Sequence, residues 1–163
     1  MSGVVLRKIL PDDNVSLAAV IRAGMTEFGL NKAGSGFDDP QIDHLFAAYA
    51  QPGCAFFVAI ENEQLLGGGG FAPLREGDGK TCELQRMYLS KDARGKGVGK
   101  QLLQHCLEEA AAMGYETCYL ETESAMETAQ ALYRRYGFVK QDSRTGNTGH
   151  CACNTFYIKS LKS

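Results

Sequence analysis

A glycine-rich segment at residues 94–100, Arg-Gly-Lys-Gly-Val-Gly-Lys, constrains the fold of this chain more than any other stretch. An apolar run precedes it and an amphipathic run follows it, which predicts a turn from a strand into a helix that begins near Val98. Alternate glycines let a backbone turn tightly and bring its N–H groups close to an anion, and a helix N-terminus adds its positive dipole end. With Arg94, Lys96 and Lys100 beside it, the segment favours a pyrophosphate-binding loop over a solvated glycine turn.

Two common nucleotide-binding motifs fail at individual residues. A P-loop begins with Gly and places Ser or Thr after its Lys. Aligned on Lys100, this chain has Arg94 and Gln101 at those positions, and a carboxamide lacks the hydroxyl that holds magnesium. A dinucleotide fingerprint that starts at Gly95 would need a third glycine where Lys100 stands. The pyrophosphate therefore belongs to another kind of ligand.

The hydrophobic pattern predicts a mixed α/β sheet in a single domain, residues 1–163. Apolar runs bounded by turn residues predict strands over residues 4–9, 54–60, 65–71, 81–89, 117–122, 138–141 and 151–158. Helical spacing predicts helices from Asn14 to Phe28, from Pro40 to Tyr49, from Val98 to Met113, and over residues 125–136. The helix after the glycine loop joins two strands, so these two strands should be parallel.

Composition narrows the class of protein. The chain has 163 residues, of which 44% are hydrophobic and 22% are charged, and its net charge is −2. This charge gives no general attraction to nucleic acid or to an anionic membrane. We see no run long enough to span a membrane and no signal-peptide pattern, so we expect a cytoplasmic protein.

The cysteines predict buried thiols and no metal site. A chain of this size and apolar content needs no disulfide framework, and Cys82, Cys106 and Cys118 fall at positions expected to be buried. Cys151 and Cys153, next to His150, lack the spacing of a zinc site. We therefore expect no metal, and a weak role for His150 in substrate binding stays open.

Two motifs resemble the signatures of the GNAT superfamily of N-acetyltransferases. Residues 94–99 read Arg-x-x-Gly-x-Gly and resemble the loop that cradles the pyrophosphate of acetyl-coenzyme A. Residues 129–138 read Ala-x-x-Leu-Tyr-x-x-x-Gly-Phe and resemble the second signature. One position departs from the family: many members have Asn three residues before that alanine, where this chain has Met126. The resemblance covers nearly the whole chain.

The resemblance implies the GNAT fold, with a twisted and mostly antiparallel sheet, a parallel pair splayed at the cofactor site, and about four helices. It also implies that acetyl-coenzyme A is the cosubstrate and that residues 87–89 bind it chiefly through their main chain, at a bulge in their strand. The cofactor-binding residues expected on this basis are Met87, Tyr88, Leu89, Arg94, Gly95, Lys96, Gly97, Val98, Gly99, Lys100 and Ala129.

Acetyl transfer to an amine requires removal of a proton from an ammonium group and stabilisation of the departing thiolate. Glu83 is the candidate base, acting directly or through water, because it is the only carboxylate in the strand that enters the glycine loop. The alternative is a surface ion pair of Glu83 with Arg86 or Arg94. Regular alternation would put Glu83 and Met87 on one face of the strand, together with residues 85 and 89.

Tyr133 matches the tyrosine that many relatives place near the coenzyme sulfur. Proton transfer from a phenol to a thiolate is uphill by roughly 2 kcal/mol at ordinary pKa values, so we expect Tyr133 to act mainly as a hydrogen-bond donor. The alternative is an aromatic residue that packs in the core, with Tyr136 as its rival.

These observations predict an N-acetyltransferase that passes the acetyl group directly to a primary amine, because no arrangement for a covalent intermediate is legible. We expect the acceptor to be a small molecule such as an amino acid, a polyamine or a drug-like amine, bound between residues 29–39, 65–71 and 146–153. The acidic residues Asp38, Asp39 and Glu83 indicate that this acceptor is cationic. A non-catalytic acyl-coenzyme A regulator and an enzyme acting on a protein amine are the alternatives. A homodimer is compatible with the expected sheet edges.

Overall fold

The computed structural model describes residues 3–32, 36–124, 126–149 and 153–162. Within these ranges the strands are β1 Val5–Lys8, β2 Ala55–Glu61, β3 Gln64–Pro73, β4 Thr81–Leu89, β5 Thr117–Thr122, β6 Val139–Gln141 and β7 Thr155–Ser160. The α-helices are α1 Asn14–Glu27, α2 Leu45–Ala48, α3 Val98–Ala112 and α4 Glu127–Arg135. Short 3₁₀ turns cover Pro11–Asp13, Pro40–Asp43 and Lys91–Ala93.

The seven strands form one sheet in the order β1-β2-β3-β4-β5-β7-β6. Strands β1 to β4 are an antiparallel meander, and β5, β7 and β6 are also antiparallel to their neighbours. Between these two groups, β4 and β5 are parallel and are joined through α3. This arrangement confirms the predicted mixed sheet with one parallel pair.

Adjacent residues of β2 show how the two faces of the sheet are covered. Phe56 packs with Leu17 and Ile21 of α1 in one core, whereas Phe57 packs with Leu102 of α3 in the other. Successive side chains of a strand point to opposite faces, so the dense apolar run of β2 serves both cores. The second core also contains Cys106, whose burial raises the pKa of its thiol to about 12.

The glycines of β3 are required by close approach of the neighbouring strands. A side chain at Gly67 would collide with the backbone of Tyr88, and at Gly69 a Cβ would lie 2.9 Å from the Met87 Cε atom. Gly67 and Gly69 therefore let β4 pass close to β3.

Two predicted elements differ from the structure by more than a shift of one or two residues at an end. The helix predicted from Pro40 to Tyr49 is interrupted at His44, whose φ of −135° lies outside the helical region. Asp39 accepts a hydrogen bond from the Gln41 amide at 2.9 Å and so caps the first, 3₁₀ part. The last strand begins at Thr155, so Cys153 lies before it, while His150 and Cys151 lie outside the described residues.

Candidate active site

The start of α3 presents backbone N–H groups without acceptors inside the helix. The first amide to bond within α3 is that of Gln101, which donates to the Gly97 carbonyl at 3.1 Å. The amides of residues 98–100 come before that point, and no side chain caps the helix. Unpaired amides and the helix dipole together make this end of α3 suitable for an anion.

The glycines of the loop have two different roles. Gly95 and Gly97 have φ values of 78° and 75°, a conformation that costs other residues roughly 1–2 kcal/mol, and a Cβ at either position would point into open space. At Gly99 a Cβ would instead lie 3.3 Å from the Leu89 Cδ1 atom. The first two glycines therefore allow the turn, and the third lets α3 pack closely on β4.

An open groove with a volume of about 610 Å³ runs from this helix start along β4 to α4. Every residue predicted to bind the cofactor lines this groove except Lys96. Residues that sequence reasoning did not single out also contribute, among them Gly24, Phe28, Thr128 and Arg135.

The three predicted cations of the loop have different surroundings. Lys100 lines the groove. Arg94 also lines it, but both of its terminal nitrogens donate to the Glu27 carboxylate at 2.6 Å, and its guanidinium lies over the ring of Phe28. Lys96 points elsewhere, to the Glu61 carboxylate at 3.2 Å. The structure thus brings Lys100 and Arg94, but not Lys96, to the groove.

Strand β4 carries a bulge at Arg86, whose φ is +53°. The register with β3 shifts between the pairs Gly70–Gln85 and Gly68–Tyr88, so the alternation of side chains changes at this point. The expectation that Glu83, Gln85, Met87 and Leu89 share a face is therefore wrong. Met87 and Leu89 pack on the α3 side, and Tyr88 packs on the α1 side.

A second, smaller cavity opens where β4 and β5 separate. The ladder between these strands covers only Thr81–Glu83 paired with Thr117–Tyr119. Beyond it lies a cavity of about 80 Å³, lined by residues 84–88 and 120–123 together with Leu30, Met126, Tyr133 and Cys153. Of the segments expected around the acceptor, residues 29–39 and 146–153 each contribute to this lining, whereas residues 65–71 of β3 do not.

Glu83 is buried, with 3% of its surface exposed, and is the last residue of β4 in the ladder with β5. Its Oε1 accepts a hydrogen bond from the Gln85 Nε2 at 2.6 Å, and the Gln85 Oε1 accepts one from the Tyr49 hydroxyl, also at 2.6 Å. Gln85 lines the smaller cavity and Glu83 does not. The anticipated surface ion pair is absent among the described residues, since Arg86 donates to Asp39 and Arg94 to Glu27.

Tyr133 and Met126 line both the groove and the smaller cavity, so the two spaces meet at these side chains. Tyr133 is 8% exposed, and burial raises the pKa of its phenol. Its ring packs against Phe138 and Tyr157, and no described residue hydrogen-bonds to its hydroxyl. The ring of Tyr133 therefore packs in the core, while the role of Tyr133 as a hydrogen-bond donor to the coenzyme sulfur stays a prediction.

Sequence reasoning missed the charged residues of the smaller cavity, namely Arg86, Glu121 and Glu123. Carboxyl ends of parallel strands meet at one edge of a sheet, where ligands bind in α/β proteins. The ends of β4 and β5 could therefore have been searched for charged side chains. The predicted parallel pairing was the available signal.

Glu121 is fully enclosed by its own partners. Its carboxylate accepts hydrogen bonds from Tyr119 at 2.7 Å, from Arg144 at 3.0 Å and from Thr148 at 2.5 Å. Cys153 lies close by, and burial together with the charges of Glu121 and Glu123 raises the pKa of its thiol to about 12. Cys153 is therefore protonated at neutral pH and is a poor nucleophile.

Within the described ranges, no three His, Cys, Asp or Glu side chains are grouped so as to hold a metal ion. No helix in the same ranges has the length and apolar character needed to cross a bilayer.

A sheet split at one parallel pair, with an anion-binding helix start beside the split, defines the acyl-coenzyme A N-acyltransferase class of fold. A family model, the Acetyltransferase (GNAT) family, matches residues 22–138. The chain belongs to the GNAT family and is an acyltransferase, as its two motifs predicted.

The relatives agree with this assignment. The uncharacterised N-acetyltransferase YjgM of Escherichia coli K12 is 40% identical over 159 residues, which cover 96% of this chain and 95% of the relative. A GNAT acetyltransferase from Staphylococcus aureus Mu50 has a similar structure, with a TM-score of 0.86 at 22% identity, covering 98% of this chain and 100% of that one. The acetyltransferase yncA from Salmonella typhimurium, solved with acetyl-CoA, gives 0.79 at 22% identity, with 99% and 96% covered.

Proposed function

We propose that the protein transfers an acetyl group from acetyl-coenzyme A directly to the primary amine of a small molecule. The observation that carries this proposal is that the groove beginning at the α3 N-terminus meets a second cavity at Tyr133. A cosubstrate in the groove and an acceptor in the smaller cavity would therefore meet beside the Tyr133 side chain.

The groove residues fit a coenzyme with a diphosphate. The amides of residues 98–100 and the Lys100 ammonium supply donors and positive charge for phosphate oxygens. The space in front of Gly95 and Gly97 is open, so a phosphate can approach the backbone there. Binding of Arg94 to a phosphate would take the place of the exposed Arg94–Glu27 ion pair, which solvent screens.

When bound, acetyl-coenzyme A supplies an acetyl group activated as a thioester. The amine nitrogen of the acceptor forms a bond to the acetyl carbon while the carbon–sulfur bond breaks. The products are the N-acetylated amine, the free thiol and one proton. We assign removal of that proton to Glu83, which would act through water because Gln85 stands between Glu83 and the cavity. We assign to the Tyr133 hydroxyl a hydrogen bond that it donates to the sulfur of the departing thiolate.

Steady-state release of free thiol with a panel of small amines tests the proposal, with binding of coenzyme A measured separately by calorimetry. We expect coenzyme A to bind in the calorimetric measurement and thiol release to depend on the amine in the kinetic measurement. If coenzyme A binds but no small amine accelerates thiol release, the non-catalytic regulator replaces this proposal. If only a peptide amine accelerates it, the acceptor is a protein.

A further inference from the structure

The cavity between β4 and β5 is lined by one cation and one anion that are largely enclosed and whose partners are exposed. The Arg86 side chain is 11% exposed and the Glu123 side chain is 12% exposed. A buried charge is costly unless an opposite charge or a hydrogen bond compensates it. Each of these side chains therefore favours an oppositely charged group at this place.

The present partners come from the segment before β2 and are exposed to solvent. Asp39 is 41% exposed and accepts a hydrogen bond from the Arg86 Nη2 at 2.9 Å. Lys32 is 54% exposed, and its Nζ lies 3.6 Å from the Glu123 Oε1. That oxygen is buried and has no hydrogen-bond partner among the described residues. A ligand with a carboxylate and an ammonium group could replace these exposed partners and leave neither Arg86 nor Glu123 without an opposite charge.

The backbone of Arg86 gives a second, independent indication. Its φ of +53° is unfavourable for a residue with a side chain, and glycine would avoid this strain. Such outliers are found at ligand-binding positions, where the surrounding structure maintains them. The planar guanidinium is also the side chain best suited to hold a carboxylate through two parallel hydrogen bonds.

We propose that the acceptor is a small zwitterion of the amino-acid class, with its carboxylate on Arg86 and its ammonium group on Glu123. This inference rests on the proposed acetyl transfer and names the acceptor for the same site. Lys32 and Asp39 would then stand where the two charges of the acceptor go. The volume of about 80 Å³ favours a compact molecule, and Leu30, Leu84 and Leu120 supply an apolar surface for its side chain.

Thiol release measured with L-amino acids and their carboxamides in matched pairs tests this inference on the unaltered enzyme. A carboxamide lowers the pKa of the neighbouring ammonium group, so intrinsic amine reactivity at neutral pH favours the carboxamide. We expect the opposite order, with kcat/KM for at least one amino acid about tenfold or more above that of its carboxamide, the effect of one lost charge-assisted contact.

Variants assign the effect to residues. Arg86→Gln should raise KM for the amino acid and leave that for the carboxamide nearly unchanged, and Arg86→Lys should recover part of the preference. Glu123→Gln should raise KM for both, because both carry the ammonium group. Arg22→Gln is the matched control, since Arg22 also pairs with an aspartate, Asp43, at 2.7 Å but lines neither cavity.

The outcomes separate the two proposals. Equal or faster reaction of the carboxamides, or an Arg86→Gln enzyme that keeps the preference, would overturn the zwitterion inference and leave acetyl transfer intact. If neither member of any pair releases thiol while other small amines do, the inference is again overturned alone. If no amine of any kind supports thiol release, the result counts against both proposals.

Discussion

Tyr133 is buried and lines both the groove and the smaller cavity. Burial raises the pKa of its phenol above the ordinary value of about 10. A phenol with a raised pKa is a poorer acid, but it remains a neutral hydrogen-bond donor over the whole neutral and mildly alkaline range. This environment favours stabilisation of a departing thiolate over donation of a proton to it.

Tyr133→Phe should therefore lower kcat by about 10²-fold, the usual effect of removing one donor to a developing charge. The Kd for coenzyme A should change little, because the ring and its packing remain. Thiol-release kinetics and calorimetry measure the two quantities. The unaltered enzyme should also lose no activity through ionisation of this phenol up to about pH 10. If Tyr133→Phe leaves kcat unchanged, Tyr133 is not a hydrogen-bond donor to the departing thiolate.

Lys100 and Lys96 differ in their relation to the groove, although both belong to the glycine-rich segment. Lys100→Gln should weaken coenzyme A binding about tenfold, the effect of one charge-assisted contact to phosphate. Lys96→Gln should have a smaller effect, because Lys96 pairs with Glu61 outside the groove. Calorimetry at low salt compares them, and a greater loss for Lys96→Gln would show that the loop binds the coenzyme in another way.

The groove that we assign to the coenzyme was predictable from sequence because glycines and a helix start lie within one short segment. The cavity that we assign to the acceptor was not. Arg86 and Glu123 lie far apart in the chain and come together only because β4 and β5 are parallel and separate after Glu83. No local pattern contains that information. Glu83 itself was recognised as a carboxylate in a strand, but its hydrogen bond with Gln85 was not foreseen.

At the scale of elements, the start of α3 depends on a left-handed residue. Gly97→Ala should destabilise the fold by about 1–2 kcal/mol and also weaken coenzyme A binding, because strain would displace the amides that follow. A Cβ at this position meets no atom within 4 Å, so the effect belongs to the backbone. Urea unfolding and calorimetry measure the two consequences.

Gly114→Ala provides a matched control at the other end of α3. Gly114 has a φ of +98° and open space around it, yet it lies far from the groove lining. The Gly114→Ala variant should lose a similar amount of stability and keep its affinity for coenzyme A. If both variants lost affinity equally, the loss would reflect general destabilisation and not the geometry of the loop.

Strand β4 shows why a pattern with period two can mislead. Its alternation holds up to Gln85 and changes at Arg86, where the φ of +53° inserts the bulge. Arginine carries no signature of a left-handed conformation, so the bulge could be inferred only from family resemblance. The strand, its bounds and its parallel partner were predicted correctly, whereas the faces of Met87 and Leu89 were not.

For the whole molecule, buried tyrosines predict a loss of stability in alkali. Burial raises the pKa of Tyr88 and of Tyr115 to about 12, against about 10 in the unfolded chain. Below about pH 10 both states keep these protons; between about pH 10 and 12 only the unfolded state loses them, so the free energy of unfolding falls as pH rises. Urea unfolding at about pH 8 and pH 10.5 should show the fall.

Tyr115→Phe isolates one contribution to this loss. The variant loses the hydrogen bond from its hydroxyl to the Gly53 carbonyl, which is 2.7 Å long, and so should be less stable near neutral pH. Its stability should then fall less steeply with alkali than that of the unaltered protein. An equal slope in both proteins would mean that other groups dominate the alkaline response.

The ladder between β4 and β5 has only three residue pairs and joins two groups of strands, which we call panels. One panel is the meander β1 to β4; the other is β5, β7 and β6 with α4, which is fastened to β7 through the Tyr157 hydroxyl. Both panels line the groove, Leu89 from one and Leu132 from the other. A ligand bound there would contact both panels at once. Binding of coenzyme A should therefore slow the hydrogen exchange of backbone amides throughout the carboxyl-terminal panel.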